Sequence, residues 1–301
     1  MSIASLFGRI CKSGKSVTCS PDSLNEKCAP TRGLPVPTVS MNIESVESQS
    51  SDDGASCLTP VVKSLSAHRA VILIDYDDTL FPTSWLRKYN PGRKWYEPLP
   101  VGHAMDVELR ELAFSVCLLL RRAKSLGEVV ILSLARPPWI GLSLGNFFPE
   151  VGALIEDLEI PIVYAVEEIR AGDENEDETE LGIRLKGRAM LRHIKRVAKQ
   201  NGCDCAQSNS YECPCPSLPL HPPAVLSIGD SLFERFAAHE AVGQSEENSM
   251  RKPKTLKLFE DPTAEKLHKQ VKVVEAWLPA MVAHQEGFDL DLEESDLKTS
   301  H

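Results

Sequence analysis

The chain has 301 residues, 42% of them hydrophobic and 25% charged, so it is long and apolar enough to bury a substantial core in one or two domains. Its formal net charge of −10 argues against a nucleic-acid-binding protein, because binding to phosphates needs clustered Lys and Arg. The sequence contains no run of about 18 apolar residues, so we expect no membrane span.

The first 66 residues are rich in Ser, Thr and Pro, a composition that buries too little apolar surface to offset chain entropy. We therefore predict a disordered tail over residues 1–66. Its beginning carries Arg9, Lys12 and Lys15 but no acid, which is faintly similar to an organelle transit peptide. Nine Cys without a secretory signal indicate the cytoplasm or another reducing compartment. Organelle import stays open as an alternative.

After residue 67, short apolar runs alternate with amphipathic segments. Strands are predicted at residues 70–74, 129–132, 160–163, 224–228 and 254–259. Helices are predicted from a cap at Asp106 to Gly127, around residues 154–158, and over 187–200 and 262–284. This alternation predicts a doubly wound, mostly parallel, Rossmann-like α/β domain over residues 67–285. We expect residues 286–301 to form an acidic, flexible C-terminus.

Two insertions interrupt the alternation. Residues 173–178 are an acidic run, which predicts a solvated loop. Residues 203–223 contain Cys203, Cys205, Cys213 and Cys215, and four thiolates in one short loop can close around a structural zinc ion. Structural zinc sites more often use C-x₂-C spacing, so we favour the alternative of a flexible, thiol-rich loop.

Acidic residues follow the first and fourth predicted strands. Asp75 and Asp77 come directly after the first strand, and Asp230 and Glu234 follow the fourth. Because parallel strands end at the same edge of a sheet, these carboxylates would repel each other unless a hard cation lies among them. A few such oxygens, with room for water and a phosphate, suit Mg²⁺ better than Ca²⁺.

The chain resembles the haloacid dehalogenase superfamily. Four segments match its motifs in the right order: an apolar strand with D-x-D-x-T at residues 71–79, a strand ending in Ser133, Lys186 at the start of a predicted helix, and Gly229-Asp230 followed by Glu234. They lie between residues 71 and 234. Residues 77–85 are also similar to a little-characterised branch of the superfamily in plants and protists.

The resemblance implies a role for each motif. Asp75 would be the nucleophile that forms an aspartyl-phosphate, and Asp77 the general acid and base. Ser133 would bind the phosphoryl oxygens and Lys186 would neutralise their charge. Arg184 and Arg188 are alternatives to Lys186, since all of them belong to one basic segment that could also be a solvated face.

The resemblance also implies a Mg²⁺ site. Its ligands would be Asp75, the backbone carbonyl of Asp77, and Asp230, with Glu234 holding or orienting the metal's shell. Thr79 would buttress the nucleophile loop. The function that follows is Mg²⁺-dependent hydrolysis of a phosphomonoester. Phosphotransfer by the same residues, or a binding or scaffold protein that keeps the fold without turnover, are the alternatives.

Small-substrate members of this superfamily usually carry a cap domain, and this chain has little room for one. The intervals at residues 80–128 and 134–184 are largely filled by predicted sheet-packing elements, and residues 81–100 resemble only the family's flap, a turn and hairpin. Without a lid, the substrate itself must exclude water. We therefore expect a phosphoprotein or other bulky phosphoester, with Trp85, Trp95 and Tyr96 as rim contacts.

Overall fold

Six parallel strands form one sheet in the computed structural model, which describes residues 70–89, 97–100, 102–173, 176–200, 224–243 and 253–298. The strands are β1 (Ala70–Asp75), β2 (Gly127–Ser133), β3 (Ile162–Tyr164), β4 (Val225–Gly229), β5 (Lys254–Lys257) and β6 (Phe288–Asp291). The five predicted strands are all present, each within two residues of its predicted bounds. The tail at residues 1–66 and the four Cys of residues 203–215 lie outside the described residues.

Helices connect the strands. They are α1 (Thr83–Tyr89), α2 (Met105–Leu126), α3 (Trp139–Phe147), α4 (Pro149–Asp157), α5 (Glu178–Gln200), α6 (Leu232–Val242), α7 (Ala264–Ala283) and α8 (Glu294–Leu297), with a 3₁₀ turn at Ala165–Glu168. No helix among the described residues is both long and apolar enough to cross a membrane.

The sheet is buried between helices on both faces. Alternate side chains of a strand point to opposite faces, so Ile72 and Ile74 join one hydrophobic cluster while Val71 and Leu73 join another. The first cluster includes residues of α2, α3, α4 and α7, and the second includes residues of α5 and α6. The chain therefore has the predicted Rossmann-like α/β fold.

The strand order, β3-β2-β1-β4-β5-β6, puts β1 near the middle. From β1 the chain builds the sheet in one direction through β2 and β3, and then returns to continue on the other side with β4. A reversal of this kind opens a crevice at the carboxyl ends of the central strands, where α/β sheets bind their ligands. This topology therefore predicts a ligand-binding site at the carboxyl ends of β1, β2 and β4.

Several local predictions were wrong. Asp106 lies in the first turn of α2 and not at its cap, because the helix begins at Met105. Thr83–Tyr89 is a helix where a hairpin flap was expected. The acidic run is not simply a solvated loop, since Asp173 is buried against the Arg188 guanidinium, with oxygen–nitrogen distances of 2.5 and 3.0 Å. The helix predicted from residue 187 already begins at Glu178, because acidic residues stabilise a helix N-terminus.

The prediction of a flexible C-terminus from residue 286 was also wrong. Phe288–Asp291 forms β6, paired in parallel with β5. Phe288 and Leu290 are buried, while the acids that alternate with them contact α6: the Arg235 guanidinium donates to Asp291 at 2.5 Å, and a ring nitrogen of His239 lies 2.9 Å from a carboxylate oxygen of Asp289. The acidic composition suggested a flexible C-terminus because the sequence does not show the pairing with β5 or these contacts.

A cap domain could be inserted at residues 80–128 or 134–184, and within the residues that the structure describes neither interval contains a second folded unit. Between β1 and β2 these residues form only α1 and α2, and between β2 and α5 they form α3, α4, β3 and the 3₁₀ turn. Most of these elements pack against the sheet.

We predict that β6 is part of the cooperative fold. Leu290→Ala should lower the free energy of unfolding by about 2–5 kcal/mol, as expected for truncating a buried Leu, measured by urea denaturation. Glu286→Ala, just before the strand and exposed, should change it by no more than about 0.5 kcal/mol. Equal, small effects of both substitutions would show that the C-terminal strand is not integrated into the sheet.

Candidate active site

Three strand ends meet at the proposed ligand-binding edge. Asp75 is the last residue of β1 and pairs with Leu132 of β2, so Ser133 lies one position further along the neighbouring strand. On the other side, β4 ends at Gly229 and Asp230 follows it. The expectation that these side chains share one edge of a parallel sheet is confirmed.

A buried ammonium lies between two carboxylates at this edge. Lys186, in the third turn of α5, donates hydrogen bonds to Asp75 and to Glu234. The side chains of all three residues are only 5% exposed. Removing one partner from such a buried group leaves an uncompensated charge, which is strongly destabilising. Lys186 is therefore the cation that the fold brings to Asp75.

The pKa values of these groups reflect burial and mutual attraction. Burial raises the pKa of Asp75, and repulsion from nearby acids raises it further. The attraction of Lys186 lowers this pKa but does not cancel the rise. Although burial alone favours the neutral amine, the two carboxylates raise the pKa of Lys186. The pKa of Glu234 is lowered despite burial, because Lys186 and Ser231 both favour its ionised form. The site thus holds its ammonium charged.

Glu234 has a structural task at the start of α6. One of its carboxylate oxygens accepts the bond from Lys186, and the other accepts from the Ser231 hydroxyl at 2.7 Å and from the Ser231 backbone N–H at 3.1 Å. Ser231 and Glu234 form a capping box. A Cβ atom on Gly229 would lie 2.2 Å from Cγ of Glu234, so only glycine fits beside it. Both oxygens are thus engaged by Lys186 and Ser231, and the role of Glu234 at the metal site stays a prediction.

Asp77 is oriented by three donors. Its Oδ1 accepts hydrogen bonds from the Thr83 hydroxyl at 2.6 Å and from the Trp139 indole N–H at 2.8 Å. Its Oδ2 accepts from the Ser133 hydroxyl at 2.8 Å, and Ser133 in turn accepts from the backbone N–H of Ala135 at 2.9 Å. Two of the predicted catalytic residues, Asp77 and Ser133, therefore contact each other directly.

The loop after β1 is fixed by its own turn. Asp78 has a φ of 53°, a left-handed conformation that Asp adopts more readily than most residues. Its carboxylate accepts from the backbone N–H of Ser84 at 2.9 Å and from the Ser84 hydroxyl at 2.5 Å. The Thr79 hydroxyl is buried and has no hydrogen-bond partner among the residues that the structure describes, so its predicted buttressing role has no support from hydrogen bonding there.

Asp230 is a largely buried acid whose neighbours include other carboxylates. Burial, with repulsion from Glu234 and Asp78, raises the pKa of Asp230 to about 7, although Lys186 lowers it. Lys186 is already bonded to Asp75 and Glu234. Among the described residues, no group of three or more His, Cys, Asp or Glu side chains is arranged to hold a metal ion. Mg²⁺ commonly binds only one or two carboxylates and completes its shell with water and substrate phosphate, so Asp75 and Asp230 fit it.

The alternatives to Lys186 have other partners. Arg184 forms an ion pair with Glu176, and Arg188 forms one with Asp173. Trp85, expected at the rim of the site, is only 8% exposed and belongs to the core. The other two aromatic residues expected at the rim, at positions 95 and 96, lie outside the described part of the chain.

Sequence reasoning missed Thr83, Ser231 and Trp139. The S-x-x-E pattern of Ser231 is the signature of a capping box, and Thr83 is the first residue of a helix, so both had local signals. Trp139 lies 62 positions from the Asp77 side chain that it contacts, and nothing local marks it.

Comparisons with protein-family models, curated proteins and solved structures find no match to this chain.

We predict that Lys186→Met destabilises the protein by about 3–5 kcal/mol, because Asp75 and Glu234 stay buried without their cation. Without Lys186 the pKa of Asp75, which is already raised, should rise further, and the pKa of Glu234 should rise above its value in the unfolded chain. Stability is then retained at low pH and lost as the pH rises, so the deficit should shrink between about pH 8 and about pH 5.

The control for this variant is Lys195→Met on the same helix. Lys195 is more exposed than Lys186, so this substitution should change the free energy of unfolding by about 0.5 kcal/mol or less. Urea denaturation across this pH range measures both variants. A Lys186→Met protein as stable as the control at every pH would contradict the buried charge arrangement.

Proposed function

We propose that the chain is a Mg²⁺-dependent phosphatase of the haloacid dehalogenase type, which hydrolyses a phosphomonoester through an aspartyl-phosphate on Asp75. The observation that supports this most is the buried contact between Lys186 and Asp75 at the end of the central strand. A carboxylate beside a fixed ammonium can attack an anionic electrophile whose developing charge the ammonium neutralises. At the same edge, Asp77 would supply the general acid and base, and Asp230 would supply a metal ligand.

In the first step, a carboxylate oxygen of Asp75 forms a bond to phosphorus as the bond from phosphorus to the ester oxygen breaks. Asp77 gives its proton to the departing oxygen, so that the alcohol leaves neutral. In the second step, water attacks the same phosphorus and Asp77 takes its proton. The acyl-phosphate bond breaks, Asp75 is regenerated as a carboxylate, and inorganic phosphate leaves.

Ser133 would link phosphate binding to proton transfer. A serine hydroxyl has one hydrogen to donate, and in the structure that hydrogen goes to Oδ2 of Asp77. When a phosphoryl oxygen arrives, Ser133 can turn its hydrogen from Asp77 to the substrate. This turn frees Oδ2 of Asp77 to carry the proton that the leaving oxygen needs.

Asp75 and Asp230, together with the backbone carbonyl of Asp77, would hold Mg²⁺. When bound, Mg²⁺ supplies positive charge next to the phosphoryl oxygens. The raised pKa of Asp230 supports this assignment, because a nearby cation favours the ionised form of a buried carboxylate.

We favour a bulky substrate such as a phosphoprotein. The described residues of the two cap intervals contain no second folded unit, and a site without a lid depends on its substrate to exclude water. The loss of Trp85 as a rim contact removes one of the three aromatic contacts that sequence reasoning suggested.

The purified full chain should hydrolyse members of a phosphomonoester panel that includes sugar phosphates, nucleotides and phosphopeptides. Activity should disappear with EDTA and return with Mg²⁺. Asp75→Asn should remove turnover almost completely, because an amide cannot form the acyl-phosphate. Asp77→Asn should lower kcat by about 10²- to 10⁴-fold, as usual when general acid–base catalysis is lost.

Asp157→Asn, the same chemical change at an exposed position on α4, should leave kcat unchanged. Near-native turnover by Asp75→Asn would contradict the mechanism, and no hydrolysis of any panel member would contradict the phosphatase assignment. Efficient turnover of a small metabolite, at kcat/KM of about 10⁵ M⁻¹s⁻¹ or more, with none of phosphopeptides would contradict the bulky substrate.

A further inference from the structure

Trp139 connects the start of α3 to the acid–base candidate. Its indole N–H donates to Oδ1 of Asp77 at 2.8 Å, and its side chain is almost fully buried. The same oxygen accepts from the hydroxyl of Thr83, the first residue of α1. The first residues of two helices, α1 and α3, therefore hold one carboxylate oxygen.

An Asp side chain in a loop has rotational freedom that must be removed for proton transfer. Asp77 lies just beyond the end of β1 and is only partly buried, so packing alone does not fix its carboxylate. The Ser133 contact on Oδ2 is the one that the proposed reaction must interrupt when phosphate binds. Oδ1 must then be held by groups that stay in place, and a buried indole moves less than a hydroxyl that rotates about a single bond.

We propose that Trp139 is a positioning residue of this site, whose indole N–H keeps Oδ1 of Asp77 fixed while Oδ2 exchanges its proton with the leaving group. The inference rests on the proposed phosphatase function. Trp139 does not touch the reacting atoms and acts only through Asp77.

A purely structural role is the alternative. The Trp139 ring packs edge-on against Phe81, with ring centroids 5.7 Å apart and an interplanar angle of 79°. Loss of this contact would lower stability and could disturb the site in a general way. The two roles predict different effects of a Trp139 substitution on the hydrolysis of different phosphate esters. Leaving oxygens of high pKa need a proton from Asp77, whereas a nitrophenolate leaves without one.

The test compares kcat/KM of Trp139→Phe for an alkyl phosphate and for 4-nitrophenyl phosphate. The phenyl ring keeps an aromatic group beside Phe81 and removes the N–H donor. Because kcat/KM covers only the steps up to the first departure of the leaving group, the later hydrolysis of the aspartyl-phosphate does not obscure it. We expect a loss of about 10- to 100-fold for the alkyl phosphate, the usual effect of losing a hydrogen bond to a charged group, and about threefold or less for the aryl phosphate.

Trp277→Phe is the matched control. Trp277 is a buried residue of α7 in the main hydrophobic cluster, so its substitution removes another buried indole away from Asp77. It should lower stability and leave both kcat/KM values unchanged. Equal losses for the two substrates in Trp139→Phe, or no loss in either, would overturn the positioning role.

A measurement without turnover separates this inference from the proposed function. The chain has four Trp, and comparison with Trp139→Phe identifies the indole N–H signal of Trp139 in an amide NMR spectrum. Asp77→Ala should shift that signal upfield and speed its exchange with solvent. A signal that does not respond would overturn the contact, even in an active enzyme. If the signal responds but the wild-type chain hydrolyses neither substrate, the proposed function fails, and the positioning role fails with it.

Discussion

The buried ammonium of Lys186 is the interaction on which the site depends. Asp75 ends β1, and Glu234 lies in the first turn of α6. Both side chains are almost fully buried, and carboxylates are rarely buried unless they are paired. One cation satisfies both, and this requires α5 to cross close to the ends of β1 and β4. The glycine at position 229 and the capping box at Ser231 complete the arrangement, since they let Glu234 turn back toward Lys186.

Helices on opposite faces of the sheet contact Asp75 and Asp77. Asp75 contacts Lys186 of α5, whose hydrophobic side packs with α6 on one face. Asp77, two residues later, contacts Thr83 of α1 and Trp139 of α3, which belong to the other side of the sheet. The proposed nucleophile and the proposed acid–base group are thus held by separate layers of the fold. In the proposed mechanism, this separation allows Asp77 to change its protonation while Asp75 keeps its position.

Much of the site could be predicted because it follows from strong local patterns. A compact apolar run that ends in acids fixed both β1 and the place of Asp75, and the same reasoning placed Asp230 and Ser133 at the neighbouring strand ends. What failed was the reading of charge. Residues 173–178 were predicted to be a solvated loop and residues 286–301 a flexible end, because composition does not reveal that Asp173 contacts Arg188 or that Asp289 contacts His239. For the same reason the indole of Trp139 had no signal in the sequence.

The role of Glu234 shows a second limit. An acid four residues after Asp230 fits both a metal site and the N3 position of a capping box, and the sequence alone does not separate them. The structure favours the cap, because both carboxylate oxygens are engaged by Lys186 and Ser231. The metal proposal therefore depends on fewer carboxylates than the sequence suggested.

The most direct measurement is chemical trapping of the proposed aspartyl-phosphate. The full chain is mixed with Mg²⁺ and 4-nitrophenyl phosphate and quenched during turnover, and borohydride then reduces any acyl-phosphate to an alcohol. Mass spectrometry of the peptides should find homoserine in place of Asp75, and an unchanged Asp77. Turnover without any modification of Asp75, or with the modification on a different acid, would contradict the account.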